Sequence, residues 1–345
     1  MTTDCNGRAP GEAVLTTRAA GITRRRAVAA LGLAALAPIG RGAMAQQQWP
    51  TRPVRLVVAY PAGGGTDIVA RLFSDRLAQL WGQPVIVENR GGAAGTIGAE
   101  SVARAAPDGY TLLVAASPEI AIARSTQRNL AYDPVRDFDA ITLINQTQFV
   151  LYATARLAPN NVQELIALAR ARPGELNYAS FGNGTSNHFV GELFKMSAGV
   201  DITHIPYRGG GPMMTDLISG TVQLAFEAIN TGLPHVRGGR LKALGAAMMQ
   251  RSPLMPEVPT FDEQGVKGFT GGSWVGMVAP KGTPQPIINR VAADIKRLLD
   301  AGLAAEFEQR GLTPDGRGPA EFGAFIEAEV LKWGSVAQRA GIAAG

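Results

Sequence analysis

The chain has 345 residues, 46% hydrophobic and 18% charged, enough to bury one large core or two medium ones. No run of 18 uninterrupted apolar residues follows the first fifty positions, which leaves no membrane-spanning helix in the body. Of the formal net charge of +5, most sits at the start: six of 33 basic and two of 28 acidic residues lie in residues 1–45. What remains is near +1, too balanced to favour nucleic acid or a membrane surface.

Those first residues form a segment of their own. Thr23-Arg24-Arg25-Arg26 precedes the apolar run Ala27 to Ala37, and Ala43-Met44-Ala45 precedes Gln46. A basic region, a short apolar region and a small-x-small cleavage site predict a secretory signal peptide over 1–45. The apolar run is about half the ~20 residues that a membrane anchor needs. Paired arginines behind a threonine also suit a twin-arginine signal. The sole cysteine, Cys5, would leave with this segment, so the mature protein has no thiol or disulfide and resides free in the periplasm.

In the body, the β-rich run Arg55–Tyr60 is followed by Pro61-Ala62-Gly63-Gly64-Gly65-Thr66-Asp67 and then by a helical pattern through Val69, Leu72, Phe73, Leu77 and Leu80, stopped at Gly82. Thr66 or Asp67 can cap that helix. The strand, glycine loop, helix unit recurs. Val85-Ile86-Val87 leads into Gly91-Gly92 and a helix from Thr96. Asn177–Ser180 leads into Gly182-Asn183-Gly184-Thr185 and a helix from Ser186. Ile205-Pro206-Tyr207 leads into Arg208-Gly209-Gly210-Gly211 and a helix that stops at Gly220.

Such alternation predicts an α/β fold of mostly parallel sheets flanked by helices. It is interrupted by long β-rich segments near Asp137–Ala153 and Ser273–Ala279, read as crossovers between two lobes. The first lobe is then 46–146 and 272–345, the second 147–271. Apolar stripes at Ile287–Leu299 and Phe322–Trp333 predict closing helices that pack on the first lobe.

Glycine loops after parallel strands are where α/β proteins bind ligands, because a loop without β-carbons exposes main-chain N–H groups beside a helix N-terminus. Four such loops point to a small anion held by backbone donors. The Gly-Lys-Ser/Thr phosphate loop is missing, and Ile68 stands where Gly-x-Gly-x-x-Gly needs its third glycine, so a nucleotide is disfavoured and a carboxylate favoured. No Gly-x-Ser-x-Gly elbow occurs. His188 and Glu192, four apart on one helix, have metal-ligand spacing, but no third ligand falls near them, and a surface or lobe-edge hydrogen-bonding role is favoured. Arg208 either clamps a carboxylate or is a solvated loop residue. Glu227, ending a strand, orients waters or a ligand ammonium, or caps the next segment.

Read together, these motifs resemble one family. Tyr60–Asp67, Val87–Gly95 (Val-Glu-Asn-Arg-Gly-Gly-Ala-Ala-Gly), Pro107-Asp108-Gly109-Tyr110, Tyr132–Phe138, Leu176–Thr185, Pro206–Gly210, Met255–Thr260 and Ala279–Pro284 look like the Bug family, the substrate-binding receptors of tripartite tricarboxylate transporters. The resemblance covers essentially the whole mature chain. It implies a two-lobed, type II-like periplasmic binding protein, a "Venus flytrap", acting as a monomer with no metal or cofactor and no catalytic residues. Its partners would be a small carboxylate and the membrane components of a transporter.

Carried over, the family's main-chain contacts fall on Ala62, Gly63, Gly64, Gly65, Thr66 and Asp67. The second lobe would contribute Ser180, Gly182, Asn183, Gly184 and Thr185, with Tyr207 and Arg208 nearby; Ser117 and Glu227 complete the expected site. Two places depart from the family. Ser117-Pro118-Glu119-Ile120-Ala121-Ile122-Ala123 stands where a Gly-x-His-x-Ile-Asn-Pro pattern is usual. Glu227-Ala228-Ile229-Asn230 replaces the common Phe-Asp-Asn after the strand that ends at Phe226. Ligand identity therefore does not carry over. A sensory binding protein is the nearest rival reading; an enzyme using Glu227 and a histidine lacks a nucleophile–base pair.

Overall fold

The computed structural model describes residues 49–342, together with Gly11. The signal segment, its cleavage point and Cys5 lie outside the described residues.

Ten strands form one mixed sheet in the order β2-β1-β3-β9-β4-β7-β5-β6, with β8 and the short β10 (Thr313–Pro314) pairing on β4. β1 (Val54–Val58), β2 (Val85–Asn89) and β3 (Thr111–Ala116) are parallel neighbours, joined by the helices Gly65–Trp81 and Thr96–Ala103. The same strand–helix–strand pattern repeats in β5 (Asn177–Ser180), β6 (Thr203–Pro206) and β7 (Leu224–Ala228), joined by Ser186–Ala198 and Gly210–Ser219. Two long strands connect the halves. β4 (Phe138–Thr154) pairs antiparallel with β9 (Gly272–Pro280) over its first part, then with β7 and β8 (Leu241–Ala246) over its second. The parallel strands are thus those that carry the glycine loops, and the crossovers add the antiparallel pairings.

Alternation along each strand sends side chains to two faces. On one face Val57, Leu113, Leu143, Leu151, Phe189 and Trp333 belong to a single core that runs through both lobes. On the other face the core is divided. Val58, Phe73 and Met277 belong to one cluster; Val150, Met213 and Ala225 belong to another. Burial of each such side chain stabilises by about 1.5–3 kcal/mol. A continuous core joins the lobes along one face, and a crevice separates them along the other.

The closing helix Pro319–Arg339 reaches further than its apolar stripe predicts. Trp333 meets Phe189 of the helix Ser186–Ala198 edge-to-face at 5.9 Å, so this helix spans both lobes rather than resting on the first alone. Near the glycine loops the chain packs tightly. A Cβ at Gly98 would stand 2.8 Å from Ala59 Cα, which only glycine allows. No helix among the described residues is long and apolar enough to cross a membrane.

Candidate functional site in the interlobe crevice

Open α/β sheets take ligands at the carboxyl ends of their parallel strands. Between the two sets of strands three hydroxyls converge. Ser117, just past β3, lies 2.7 Å from Ser186 Oγ and 2.9 Å from Ser273 Oγ. Pro118 ends the strand and starts the wide helical turn Pro118–Ile122; Ser186 opens a helix; Ser273 begins a crossover. Beside this cluster, Asn187 Nδ2 donates to the Phe226 carbonyl at 2.7 Å, tying the end of β7 to it.

A cavity of about 740 Å³ opens on the continuous-core side, its wall including Ala94, Gln127, Asn183, His188, Glu192 and Lys195. Its rim is strained: Ala93 and Ala94 adopt φ of 48° and 53°, a left-handed conformation that side chains disfavour. Inside, His188 is buried and stacks on His204 with ring centroids 3.9 Å apart. Of the expected surface or lobe-edge role, the surface position of His188 is corrected: the helix Ser186–Ala198 buries that face, where it lines the cavity opposite Ala94 and Gln127. Its Nδ1 accepts from Gly184 N at 3.3 Å, which places the ring proton on Nε2. Burial lowers the pKa of both imidazoles, that of His204 to about 3, so both are neutral at pH 7. Glu192 is occupied by Tyr178 OH at 2.7 Å and Lys195 Nζ at 3.0 Å. Among the described residues no group of three His, Cys, Asp or Glu side chains is arranged to hold a metal ion.

The first glycine loop does not line this cavity. Ala62, Gly63 and Gly65 are exposed, and their helix packs on the divided face. The helix is capped differently from the sequence expectation. Gly64 is the N-cap, and neither Thr66 nor Asp67 caps it. Asp67 instead sits buried within the first turn and accepts from Gly63 N at 2.9 Å, Asn89 Nδ2 at 2.8 Å and Arg71 Nε at 2.9 Å. Although burial opposes ionisation, these hydrogen bonds hold its pKa down at about 2. The amide of Gly63 is therefore taken, and that of Gly64 points at Pro61 O at 3.4 Å. Gly65, Thr66 and Asp67 keep first-turn amides that have no backbone acceptor among the described residues.

On the second lobe, Ser180 Oγ lies 2.6 Å from His204 Nε2 and accepts from Gly182 N at 3.0 Å, while Thr185 Oγ1 donates to Gly182 O at 2.7 Å. Of the expected site residues, Asn183 and Gly184 line the cavity, and Ser117 joins the hydroxyl cluster. Tyr207 OH is spent on Asp216 at 2.7 Å. Arg208 is exposed and makes no hydrogen bond or salt bridge among the described residues. Glu227 is buried. Its Oε1 accepts from Ala228 N at 2.7 Å, the Thr231 hydroxyl also donates to the carboxyl group, and burial outweighs both to raise its pKa to about 7.

Sequence reasoning missed Glu119. Fully buried, it accepts from Tyr60 OH at 2.6 Å and from Ala116 N at 2.5 Å. Desolvation raises its pKa to about 7. A Cβ on Gly95 would approach Glu119 Oε2 at 3.0 Å and Tyr60 OH at 3.1 Å, so the loops after β1, β2 and β3 meet on this carboxylate. The available signal was its place ahead of Ile120-Ala121-Ile122, an apolar run that buries every residue.

Comparison with known proteins follows the same outline. Residues 69–342 match the tripartite tricarboxylate transporter family receptor. Protein BugT of Bordetella pertussis is 36% identical over 295 residues, spanning 85% of this chain and 90% of that protein. The structure of R. palustris Rpa4515 with adipate aligns with a TM-score of 0.77 at 37% identity, covering 86% of this chain and 99% of that one. MatC (Rpa3494) from Rhodopseudomonas palustris with bound malate gives 0.74 at 34% identity, covering 84% and 99%.

Proposed function

The chain belongs to the tripartite tricarboxylate transporter receptor family, and from that premise we propose that it is exported to the periplasm and captures a small mono- or dicarboxylate between its lobes. It then presents the loaded form to the membrane components of such a transporter. The lobes are 46–146 with 272–345, and 147–271, hinged on β4 and β9. The observation that supports the reading is the paired architecture: each half has parallel strands followed by a glycine loop and a helix N-terminus.

In this reading the first-turn amides of Gly65, Thr66 and Asp67 meet one carboxylate, with Ala62, Gly63 and Gly64 giving the close approach that a β-carbon would deny. Ser180, Gly182, Asn183, Gly184 and Thr185 approach from the second lobe; Ser117 shapes the floor, and Tyr207, Arg208 and Glu227 border the ligand. The adipate and malate of the two solved relatives support a carboxylate as cargo. Neutral donors suffice for such an anion, which fits two histidines held uncharged and an Arg208 free to swing in. Thermal-shift screening tests the proposal. A carboxylate present at a hundred times its Kd adds about 2.7 kcal/mol of stability. Stabilisation by nucleotides or divalent metals, with every carboxylate silent, would overturn it.

A further inference from the structure

We propose that His188 and His204 are positioning residues: as neutral rings they hold the glycine loop of the second lobe in shape, and through them capture of the carboxylate is lost in acid. The inference rests on the receptor reading above and adds a pH limit to it.

The loop Gly182-Asn183-Gly184-Thr185 has little shape of its own. Gly182 and Gly184 sit at φ of 128° and 78°, conformations that glycine permits but does not enforce. Its amides are tied instead to the two imidazoles. Gly184 N donates to His188 Nδ1 at 3.3 Å. Gly182 N donates to Ser180 Oγ at 3.0 Å, and that oxygen lies 2.6 Å from His204 Nε2. His188 is the third residue of the helix Ser186–Ala198, whose N-cap is Thr185. From that position a Glu or Gln side chain reaches back to the chain entering the helix in a capping box, and here an imidazole does so. The rings in turn brace each other. They stack with 19° between their planes, the Tyr178 ring lies 5.0 Å from His204, and Tyr178 OH donates to the His188 carbonyl at 3.1 Å.

This arrangement fits neutral rings alone. An imidazolium carries N–H on both nitrogens, so protonated His188 would aim Nδ1–H at the Gly184 N–H. Two cations stacked at 3.9 Å repel, and the first turn of a helix is its positive end. Among the described residues, the cavity wall beside the rings carries two other charged groups, Glu192 and Lys195, both on the helix of His188 and paired at 3.0 Å. Glu192 favours an imidazolium at His188, while Lys195 and the larger effect of burial oppose it. The opposite wall is uncharged: Ala94, Thr126 and Gln127 come from the first lobe, and Ala340 to Ile342 from the end of the chain. His188 is 5% exposed, so a proton taken up there finds no water shell to replace the lost bond. Acid therefore breaks the Gly184 contact and frees the loop.

Imidazole NMR reads the rings directly, since the chain has three histidines. His188 is expected as the Nε2–H tautomer, still neutral below its ordinary pKa of about 6.5. Isothermal titration with adipate and with L-malate then compares wild type, His188→Ala and His188→Asn at about pH 7.5 and about pH 4.5. Asparagine places an acceptor near the position of Nδ1 and does not titrate. At the higher pH, His188→Ala should bind roughly five- to tenfold more weakly, as for one lost hydrogen bond, and His188→Asn should recover most of that. At the lower pH, wild type should fall at least about fivefold behind His188→Asn, a ratio in which protonation of the ligand itself cancels. An Nδ1–H tautomer overturns the inference, as does His188→Ala with wild-type affinity. His188→Asn no better than His188→Ala marks the ring as packing alone and overturns it too. Should neither variant fold, a wild-type His188 that protonates with no loss of affinity is the contrary result. Affinity lost equally in wild type and His188→Asn at the lower pH removes this inference and leaves the receptor reading standing. If neither probe binds at either pH this inference falls, and the receptor reading falls with it only when the wider carboxylate screen is silent as well.

Discussion

Asp67 and Glu227 are both buried carboxylates at the crevice, one in each lobe, and their surroundings could hardly differ more. Asp67 accepts three hydrogen bonds, from a backbone amide, an asparagine and an arginine, and stays ionised with a pKa near 2. Glu227 accepts from the Ala228 amide and the Thr231 hydroxyl, with no cation beside it, and its pKa is pushed to about 7 by burial. A carboxylate saturated by its own loop can do nothing further for a ligand, but it can hold the loop still. One buried without a cation is held closer to its neutral form. The first half therefore holds a fixed charge within its loop, and the second a buried carboxyl whose charge changes near pH 7.

The largest way to break this contrast is Asp67→Ala. It strands Gly63 N, Asn89 and Arg71 together, and a loss of about 3–5 kcal/mol is expected in denaturant unfolding. Asp67→Asn, which keeps an acceptor, should lose less. A near-neutral Asp67→Ala would mean that the loop is held by something else.

The next effect is on pH dependence. Glu119 and Glu227 have folded-state pKa values raised from about 4.5 to about 7, so each contributes stability that is present below about 4.5 and lost as pH rises through 7. The full difference is about 3 kcal/mol for each. His188 and His204, held neutral, act with the opposite sign below about 6.5, so the readout is wild type against Glu119→Gln and Glu227→Gln. The variants should gain on wild type between pH 5 and 8. Parallel stability curves would contradict the assignment.

Gly64→Val sharpens the other side of the contrast. Gly64 has φ −76°, and a Cβ there meets only Pro61 O at 3.4 Å, so the fold should persist. Affinity for the captured carboxylate should fall roughly a hundredfold, about 2.7 kcal/mol, because the added side chain blocks approach to the first-turn amides. Wild-type affinity would show that these glycines serve the turn alone. Arg208→Ala is expected to be the mildest: no measurable change in stability, and binding about tenfold weaker if the guanidinium makes one charge-assisted bond to the ligand. Unaltered affinity would leave Arg208 a solvated loop residue.

What the sequence disclosed was whatever depends on near neighbours. Glycine runs after β-rich hexamers marked the loops, and Gly82 and Gly220 marked helix ends, where they adopt φ of 66° and 86°. The crossovers were visible as long β-rich segments, the first of which forms the seventeen-residue strand β4. What stayed hidden depends on distant partners. Tyr60 and Glu119 meet across 59 positions, and Ser117 and Ser186 across 69. His188 stacks on His204 only because the helix and β6 lie on the same sheet. Even Asp67, which the sequence singles out, plays a different part from the expected one. Capping the helix and reaching back to Gly63 compete for the same short side chain, and Asn89 with Arg71 decides between them.

The most direct test is a crystal structure of the chain with the carboxylate that gives the largest thermal shift. The account predicts ligand density in the crevice, with one carboxylate on the amides of Gly65, Thr66 and Asp67 and contacts from residues 180–185 of the other lobe. Ligand bound wholly within one lobe, or outside the crevice with the Gly65–Asp67 amides untouched, would contradict it.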